Sequence, residues 1–172
     1  VVCHGWGDDS QYLKNNVYGN PFHNESASFK TSEGNSFRAN IWWKGAHLGG
    51  ERANWIGTDM SFYAGNGRSG PALVKKSRET GTDDAGFVQS RPKLEEYDQP
   101  EWWDTDMLPE PLRHNSGHHG SHGFLTHEFI DALLNERKPS IDISEALAYT
   151  VPGIIAHESA LKGGKLLKIP QF

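Results

Sequence analysis

In residues 27–44 every second side chain, counted from Ala27 in the first half and from Phe37 in the second, is mostly apolar. This two-residue period is the feature that most constrains the fold. The set comprises Ala27, Phe29, Thr31, Phe37, Ala39, Ile41 and Trp43, and the turn-forming run Ser-Glu-Gly-Asn separates its halves. Because successive side chains of a strand point to opposite faces, the pattern predicts a β-hairpin. Its apolar face should pack on helices, and the opposite face, with Arg38, Asn40 and Lys44, should meet water or a partner.

Shorter runs extend the strand-rich part of the chain. The first three residues, Val-Val-Cys, are typical of a strand in the middle of a protein rather than of a natural beginning. A strand pair is predicted at residues 53–58 and 60–64, and short strands are predicted at residues 72–76, 86–88 and 165–169.

Helical spacing replaces the strand period near the C-terminus. Apolar residues three or four positions apart predict a helix over residues 124–135. Asp142 is a good N-cap for a second helix because Glu145 follows three positions later, and the glycines at 163 and 164 supply its C-cap. Strands followed by helices predict a single α+β domain over residues 1–172, with a mainly antiparallel, open-faced β-sheet and helices packed on one face.

Residues 65–117 lack a sustained period and are rich in glycine, proline and charge. Such segments are often binding loops or covers, and the rings of Tyr97, Trp102 and Trp103 should anchor this one by burial. Its start, Gly-Asn-Gly-Arg-Ser-Gly at residues 65–70, has the letters of a dinucleotide-binding fingerprint. The residues that follow lack the length of a crossover helix, so we interpret this start as a loop.

Composition excludes several classes of partner. The net charge is −5 and no basic run stands out, which argues against nucleic-acid binding. The longest apolar run near the C-terminus, residues 151–156, is far too short to span a membrane. Six Trp, eight Phe and five Tyr argue against disorder, and a single cysteine rules out an internal disulfide. We therefore expect a soluble domain, in a compartment that the sequence leaves open.

Many histidines fall close together in residues 114–127, namely His114, His118, His119, His122 and His127. Three interpretations stay open. These histidines are solvated turn residues with one helix cap, or they recognise sugar hydroxyls and transfer protons, or they bind a metal ion. Their spacing fits no standard zinc pattern and no thiol is adjacent, which weakens the third interpretation.

Residues before this cluster are further candidates for binding. An arginine beside a tryptophan ring suits a sugar or an anion, which indicates Glu51, Arg52 and Trp55 as contacts. The alternative there is an exposed charge pair and a buried indole. Asn24, in a loop that contains proline, is either a contact or part of the turn before the strand. Trp42 lies on the polar face of its strand, which predicts a subunit interface.

The order of several short segments resembles the C-terminal domain of Gfo/Idh/MocA-type oxidoreductases. The segments are Tyr-Gly-Asn-Pro-Phe at 18–22, Gly-His-His-Gly-Ser-His at 117–122, the helix after it, Ile-Asp-Ile-Ser-Glu at 141–145, Gly-Gly-Lys at 163–165 and Ile-Pro-Gln-Phe at 169–172. The resemblance is nearest to the branch of NAD-dependent α-N-acetylgalactosaminidases, whose turn is Gly-His-Gly-Gly. His119 replaces the second glycine of that turn, and His122 replaces an acidic residue that the branch tends to carry.

The resemblance implies a role in a larger enzyme. Family members carry an N-terminal Rossmann domain that binds NAD(P) and a catalytic lysine in a Glu-Lys-Pro motif, and neither occurs in this chain. The piece should be inert alone. The parent protein would oxidise a carbohydrate-like alcohol, or cleave a glycoside through transient oxidation, and this domain would supply the sugar pocket, a homo-oligomer interface on the sheet face, or both. The implied catalytic residues are His118 and His122, and the implied substrate-binding residues are His119, Glu51, Arg52, Trp55 and Asn24.

Two other hypotheses stay open. The chain is a free-standing module that grips a saccharide or a metal ion with its histidine turn and tryptophan-rich loops, without catalytic activity. Alternatively, it is a purely structural dimerisation domain. Metal analysis and glycan binding by the purified chain would discriminate between these hypotheses and the enzymatic one.

Overall fold

A computed structural model of the chain describes residues 1–47, 49–66, 68–76, 80–82, 85, 88–90 and 93–171. The chain divides into two compact units, one formed by Val1–Ala46 with Leu125–Phe172 and the other by His47–Phe124. Both contain small antiparallel sheets, and the secondary structure is that of an α+β protein, as predicted. No helix in the described ranges is both long and apolar enough to cross a membrane.

The sheet of the first unit has three antiparallel strands in the order β1-β2-β3. The strands are β1 (Val2–Trp6), β2 (Asn24–Lys30) and β3 (Ser36–Trp42), and a short helix, α1 (Gln11–Lys14), lies between the first two. The predicted hairpin is confirmed, because Ala27 pairs with Ala39 and Phe29 with Phe37 across β2 and β3. The rings of Phe29 and Phe37 stack with their centroids 4.4 Å apart. The alternation of apolar and polar residues thus identified correctly which side chains of the two strands share a face.

Two helices follow, α2 (Ser121–Leu134) and α3 (Ile143–Leu161). The Asp142 side chain accepts the Glu145 N–H at 3.0 Å, so the predicted N-cap of α3 is confirmed. The core of the first unit joins α3 to β1 and β2 and consists of Cys3, Ala27, Phe29, Ala156 and Ala160. The side chains that α3 contributes to this core, Ala156 and Ala160, are both small.

Helix α3 covers only part of the apolar sheet face. It contacts β1 and β2, whereas every residue of β3 is exposed, including Phe37 and Ile41. The apolar stripe of α2 is also largely exposed; its members are Leu125, Phe129, Ile130, Leu133 and Leu134. On the other sheet face Trp42 is half exposed and packs edge-on against Trp6, at 5.0 Å between centroids. The oligomer interface at Trp42 stays a prediction.

The strand predicted at residues 165–169 is wrong. These residues follow α3 without forming a strand, and one pair of backbone bonds joins them to Val1, next to β1 at the sheet edge. The Val1 amino group donates to the Leu167 carbonyl at 2.7 Å, and the Leu167 N–H donates to the Val1 carbonyl at 3.0 Å. One residue pair that exchanges two backbone hydrogen bonds does not make a strand, although the apolar residues of this segment suggested a strand.

The second unit contains a four-stranded antiparallel sheet in the order β4-β5-β6-β9 and a two-stranded sheet of β7 and β8. The bounds are β4 (Asn54–Ile56), β5 (Met60–Tyr63), β6 (Ala72–Lys75), β7 (Thr80–Thr82), β8 (Val88–Ser90) and β9 (Lys93–Glu96). The strands predicted at 53–64 and 72–76 are confirmed. Of the strand predicted at 86–88, residues 86 and 87 lie outside the described residues. Trp102, expected to be buried, is half exposed.

Both long helices end in paired backbone bonds of the Schellman type. After α3, the Gly164 N–H donates to the Ser159 carbonyl at 2.9 Å and the Gly163 N–H to the Ala160 carbonyl at 3.0 Å. Gly163 has φ +68°, which suits glycine, and nothing lies within 4 Å of a Cβ placed there. At the end of α2 the corresponding position is Glu136, a non-glycine residue with φ 48°.

We expect Gly163→Ala and Glu136→Gly to shift stability in opposite directions. A left-handed residue costs about 1 kcal/mol more with a Cβ than without one, so the first change should destabilise and the second should stabilise by about that amount. Urea unfolding of the two variants and the wild type measures both shifts. A stabilising Gly163→Ala or a destabilising Glu136→Gly would show that left-handed backbone does not limit these helix ends.

An ion-pair network fixes the segment after α2. The Arg137 guanidinium donates to both oxygens of Glu128 at 2.8 Å and to Asp131 at 2.6 Å. Glu128 also accepts the Ser140 N–H at 2.6 Å. The hydrogen bonds from Arg137, with a smaller contribution from Ser140, lower the pKa of Glu128 to about 2.

The network should make stability depend on pH. Because the folded pKa of Glu128 lies below that of the unfolded carboxyl, about 4.3, its contribution is full above that value and is lost as the pH falls through about 2. We expect the stability difference between wild type and Glu128→Gln to be larger at neutral pH than in acid. Chemical unfolding across that window measures it, with Glu33→Gln as the exposed control. An equal difference at both ends would contradict the prediction.

Candidate active site

The histidine turn of the second unit has an unusual backbone. Gly117, His118, His119 and Gly120 have φ angles of 24°, 48°, 55° and 90°. Residues with side chains seldom adopt positive φ, and such strained positions cluster at functional sites. Ser116 closes the turn, because its hydroxyl accepts the Gly123 N–H at 3.0 Å. The turn therefore leads into α2 with two strained histidines in a row.

The two glycines of the turn make room for neighbouring rings. A Cβ at Gly117 would lie 2.5 Å from Nδ1 of His122, and a Cβ at Gly120 would lie 2.8 Å from the Trp103 ring. These distances are too short for any side chain. The sequence Gly-His-His-Gly thus brings the imidazole of His122 against the turn and packs the turn on an indole.

Glu51, His118 and His122 come together. Nδ1 of His118 lies 2.6 Å from Oε1 of Glu51, and both side chains are more than half exposed. The rings of His118 and His122 are 5.1 Å apart, tilted by 52°. Three of the residues that the sequence indicated therefore form one solvent-accessible cluster, although Glu51 lies 67 positions before His118.

The remaining candidates differ in their surroundings. His119 is exposed in the same turn, and Arg52 is exposed next to Glu51. Trp55 lies on β4 with its side chain 70% exposed, so the buried-indole alternative does not hold. An exposed indole offers a flat apolar surface to a ligand.

Asn24 lies in the first unit and has a structural role. It is buried, and its side-chain oxygen accepts the N–H groups of Trp43 and Lys44 at 2.9 and 3.0 Å. Its amide nitrogen donates to the Lys44 carbonyl at 3.0 Å. The side chain thus holds the chain just after β3, and a role in substrate binding stays a prediction.

The proximity of Glu51, His118 and His122 does not amount to a metal site in the part of the chain that the structure describes. The described residues contain no group of three or more His, Cys, Asp or Glu side chains that could hold a metal ion. Cys3 is buried, and burial raises its pKa, so its thiol is a poor metal ligand.

The residues described at positions 65–70 do not fit a dinucleotide. They connect β5 to β6, which pair antiparallel, so this segment is the predicted loop. The Asn66 side-chain oxygen accepts the N–H groups of Arg68 and Ser69 at 3.0 and 3.2 Å, which occupies donors that a phosphate would need. A pyrophosphate site requires a loop between a strand and a helix. Gly67 lies outside the described residues.

Sequence reasoning missed a cavity of about 450 Å³ in the first unit. Its walls come mainly from residues 10–23, of which the sequence pattern indicated only 18–22, through a family resemblance. The signal available in the sequence was the run of two tyrosines and three asparagines in these residues.

Comparison with known proteins identifies the family. No curated protein and no solved structure matches the chain. Residues 75–172, more than half of the chain, match the family model described as glycosyl hydrolase 109, C-terminal domain. The matched range contains the histidine turn, whereas Glu51, Arg52 and Trp55 precede it. The chain therefore belongs to the glycosyl hydrolase 109 family, through a Gfo/Idh/MocA-type C-terminal domain.

Proposed function

We propose that this chain supplies the substrate side of the active site in an NAD-dependent glycosidase or sugar oxidoreductase. The family is NAD-dependent, and in it this domain belongs with an N-terminal Rossmann domain. The observation that carries the proposal is the hydrogen bond of 2.6 Å between His118 and Glu51 on an exposed, strained turn.

The pair is suited to proton transfer. When Nδ1 of His118 carries the proton, it donates to the Glu51 carboxylate, and Nε2 is left with a lone pair that can accept a proton from a sugar hydroxyl. The carboxylate orients the ring and offsets the positive charge that the ring gains. Hydride chemistry belongs to the cofactor, whose pyrophosphate the loop described at residues 65–70 does not fit.

The neighbouring side chains supply the other needs of a sugar site. The ring of His122, 5.1 Å from that of His118, offers a second group that can hold or release a proton. We propose that Trp55 packs against the apolar face of the sugar and that Arg52 and His119 bond its oxygens. Both of the exposed charges, on Glu51 and Arg52, remain near solvent, so a substrate can reach them.

Activity of the full-length protein with NAD tests the proposal. We expect His118→Gln to lower kcat by about 100-fold or more, because removing a positioned base costs that much. Glu51→Gln should lower kcat less and change its pH profile. The readouts are release of p-nitrophenol from an aryl α-N-acetylgalactosaminide and reduction of NAD by free sugars.

The control is His114→Gln, which removes another exposed histidine of the same segment. It should leave kcat within about twofold of wild type. Circular dichroism should show the same fold for all variants. Full activity of His118→Gln, or a wild-type protein that turns over neither class of substrate, would contradict the proposed function.

A further inference from the structure

The cavity of about 450 Å³ lies wholly in the first unit, between the connection from β1 to β2 and the residues after β3. Its volume falls within the range of sites for small molecules. None of the residues proposed for proton transfer lines it. It therefore needs an explanation of its own.

Three aromatic rings at the cavity face solvent. The side chains of Tyr12, Tyr18 and Trp43 are 73%, 91% and 83% exposed. Single exposed rings are common, but a concave surface with several of them marks a binding site. Tyr12 is also held in place, because it stacks on His23 at 5.7 Å with only 14° between the ring planes. Its outer face is thus presented in a fixed orientation.

Lys44 and His23 line the polar side of the cavity, and both contact Asp8, which lies outside the lining. Lys44 donates to Asp8, and the hydrogen bonds from Lys44 and Ser10 hold the pKa of Asp8 below its ordinary value. The His23 side chain is only 10% exposed, and its Nε2 lies 3.0 Å from the Ser10 hydroxyl and 3.2 Å from Asp8. Both contacts involve the same ring nitrogen of His23, whereas the histidine of a hydrolytic triad uses one ring nitrogen for the nucleophile and the other for the carboxylate. The arrangement is suited to binding rather than to nucleophilic catalysis.

Local bonds preorganise the walls. Asn16 donates to the carbonyls of Leu13 and Asn20 at 2.7 and 2.9 Å, and its oxygen accepts the Asn20 N–H at 2.9 Å. Asn20 in turn accepts the Phe22 N–H at 2.9 Å. The buried side chain of Asn24, which accepts the Trp43 N–H, holds the backbone after β3 in the same way. A wall that is already ordered loses less entropy when a ligand binds.

From this geometry we infer that the cavity is a carbohydrate-binding cleft for a neutral saccharide, separate from the proposed proton-transfer site. The apolar faces of a sugar ring suit the exposed faces of Tyr12, Tyr18 and Trp43. Hydroxyl groups both donate and accept, and the lining of the cleft offers donors on Lys44 and a hydroxyl on Ser10. An anionic ligand is disfavoured, because the Asp8 carboxylate already balances the Lys44 charge.

The inference does not rest on the proposed catalytic role. The cleft uses no atom of His118 or Glu51, so either claim can fail while the other holds.

Calorimetry with the full-length protein tests the cleft. The probes are neutral tri- and tetrasaccharides built on N-acetylgalactosamine, galactose or glucose, each compared with a sulfated counterpart. We expect at least one neutral probe to bind, and Tyr12→Ala and Trp43→Ala to weaken its binding by about tenfold or more. Tyr12→Phe should keep the affinity, because it keeps the ring. Trp102→Ala, which removes a half-exposed indole outside the cleft, should leave it unchanged.

Several outcomes would overturn the inference. Absence of binding to every neutral probe at millimolar concentration would do so, as would preference for the sulfated counterparts. Binding that Tyr12→Ala and Trp43→Ala leave intact, but that Trp55→Ala removes, would assign the saccharide to the proton-transfer site instead. Because Tyr12 and Trp43 are largely exposed, both variants should fold, and circular dichroism verifies this.

Discussion

The run of positive φ angles at residues 117–120 is the constraint on which the proposed active site depends. Glycine at both ends leaves space for the rings of His122 and Trp103, and the two histidines between them accept a conformation that side chains disfavour. That conformation brings His118 to Glu51 and keeps His122 beside it. The strained backbone of the turn therefore positions the two imidazoles, and a proton-transfer site requires such positioning.

Local features of the fold could be predicted, because local signals encode them. Alternation specified the hairpin of β2 and β3, and Asp142 with the glycines after residue 162 specified both ends of α3. The pairing of His118 with Glu51 could not be predicted, since nothing local links residues 67 positions apart. The turn itself was visible, but its partner carboxylate was suggested only through the neighbouring arginine and tryptophan.

Burial was the property that sequence pattern predicted least well. Apolar periodicity marks a face that packs on something, but it does not say that the partner belongs to the same chain. The stripe of α2 and the strand β3 show this, because their apolar side chains are largely exposed. Helix α3 packs on the sheet through small residues and through the fully buried hydroxyl of Ser159. This hydroxyl accepts the Cys3 N–H and donates to the Lys165 carbonyl. Such contacts have no periodic signal.

Whether the histidine turn acts on substrate can be seen in a crystal structure of the full-length protein with NAD and a bound sugar. We expect a sugar hydroxyl within hydrogen-bond distance, about 3 Å, of Nε2 of His118, with Glu51 still on the opposite nitrogen. A sugar bound at the nicotinamide with both of these side chains facing bulk solvent would contradict the proposed role of the turn.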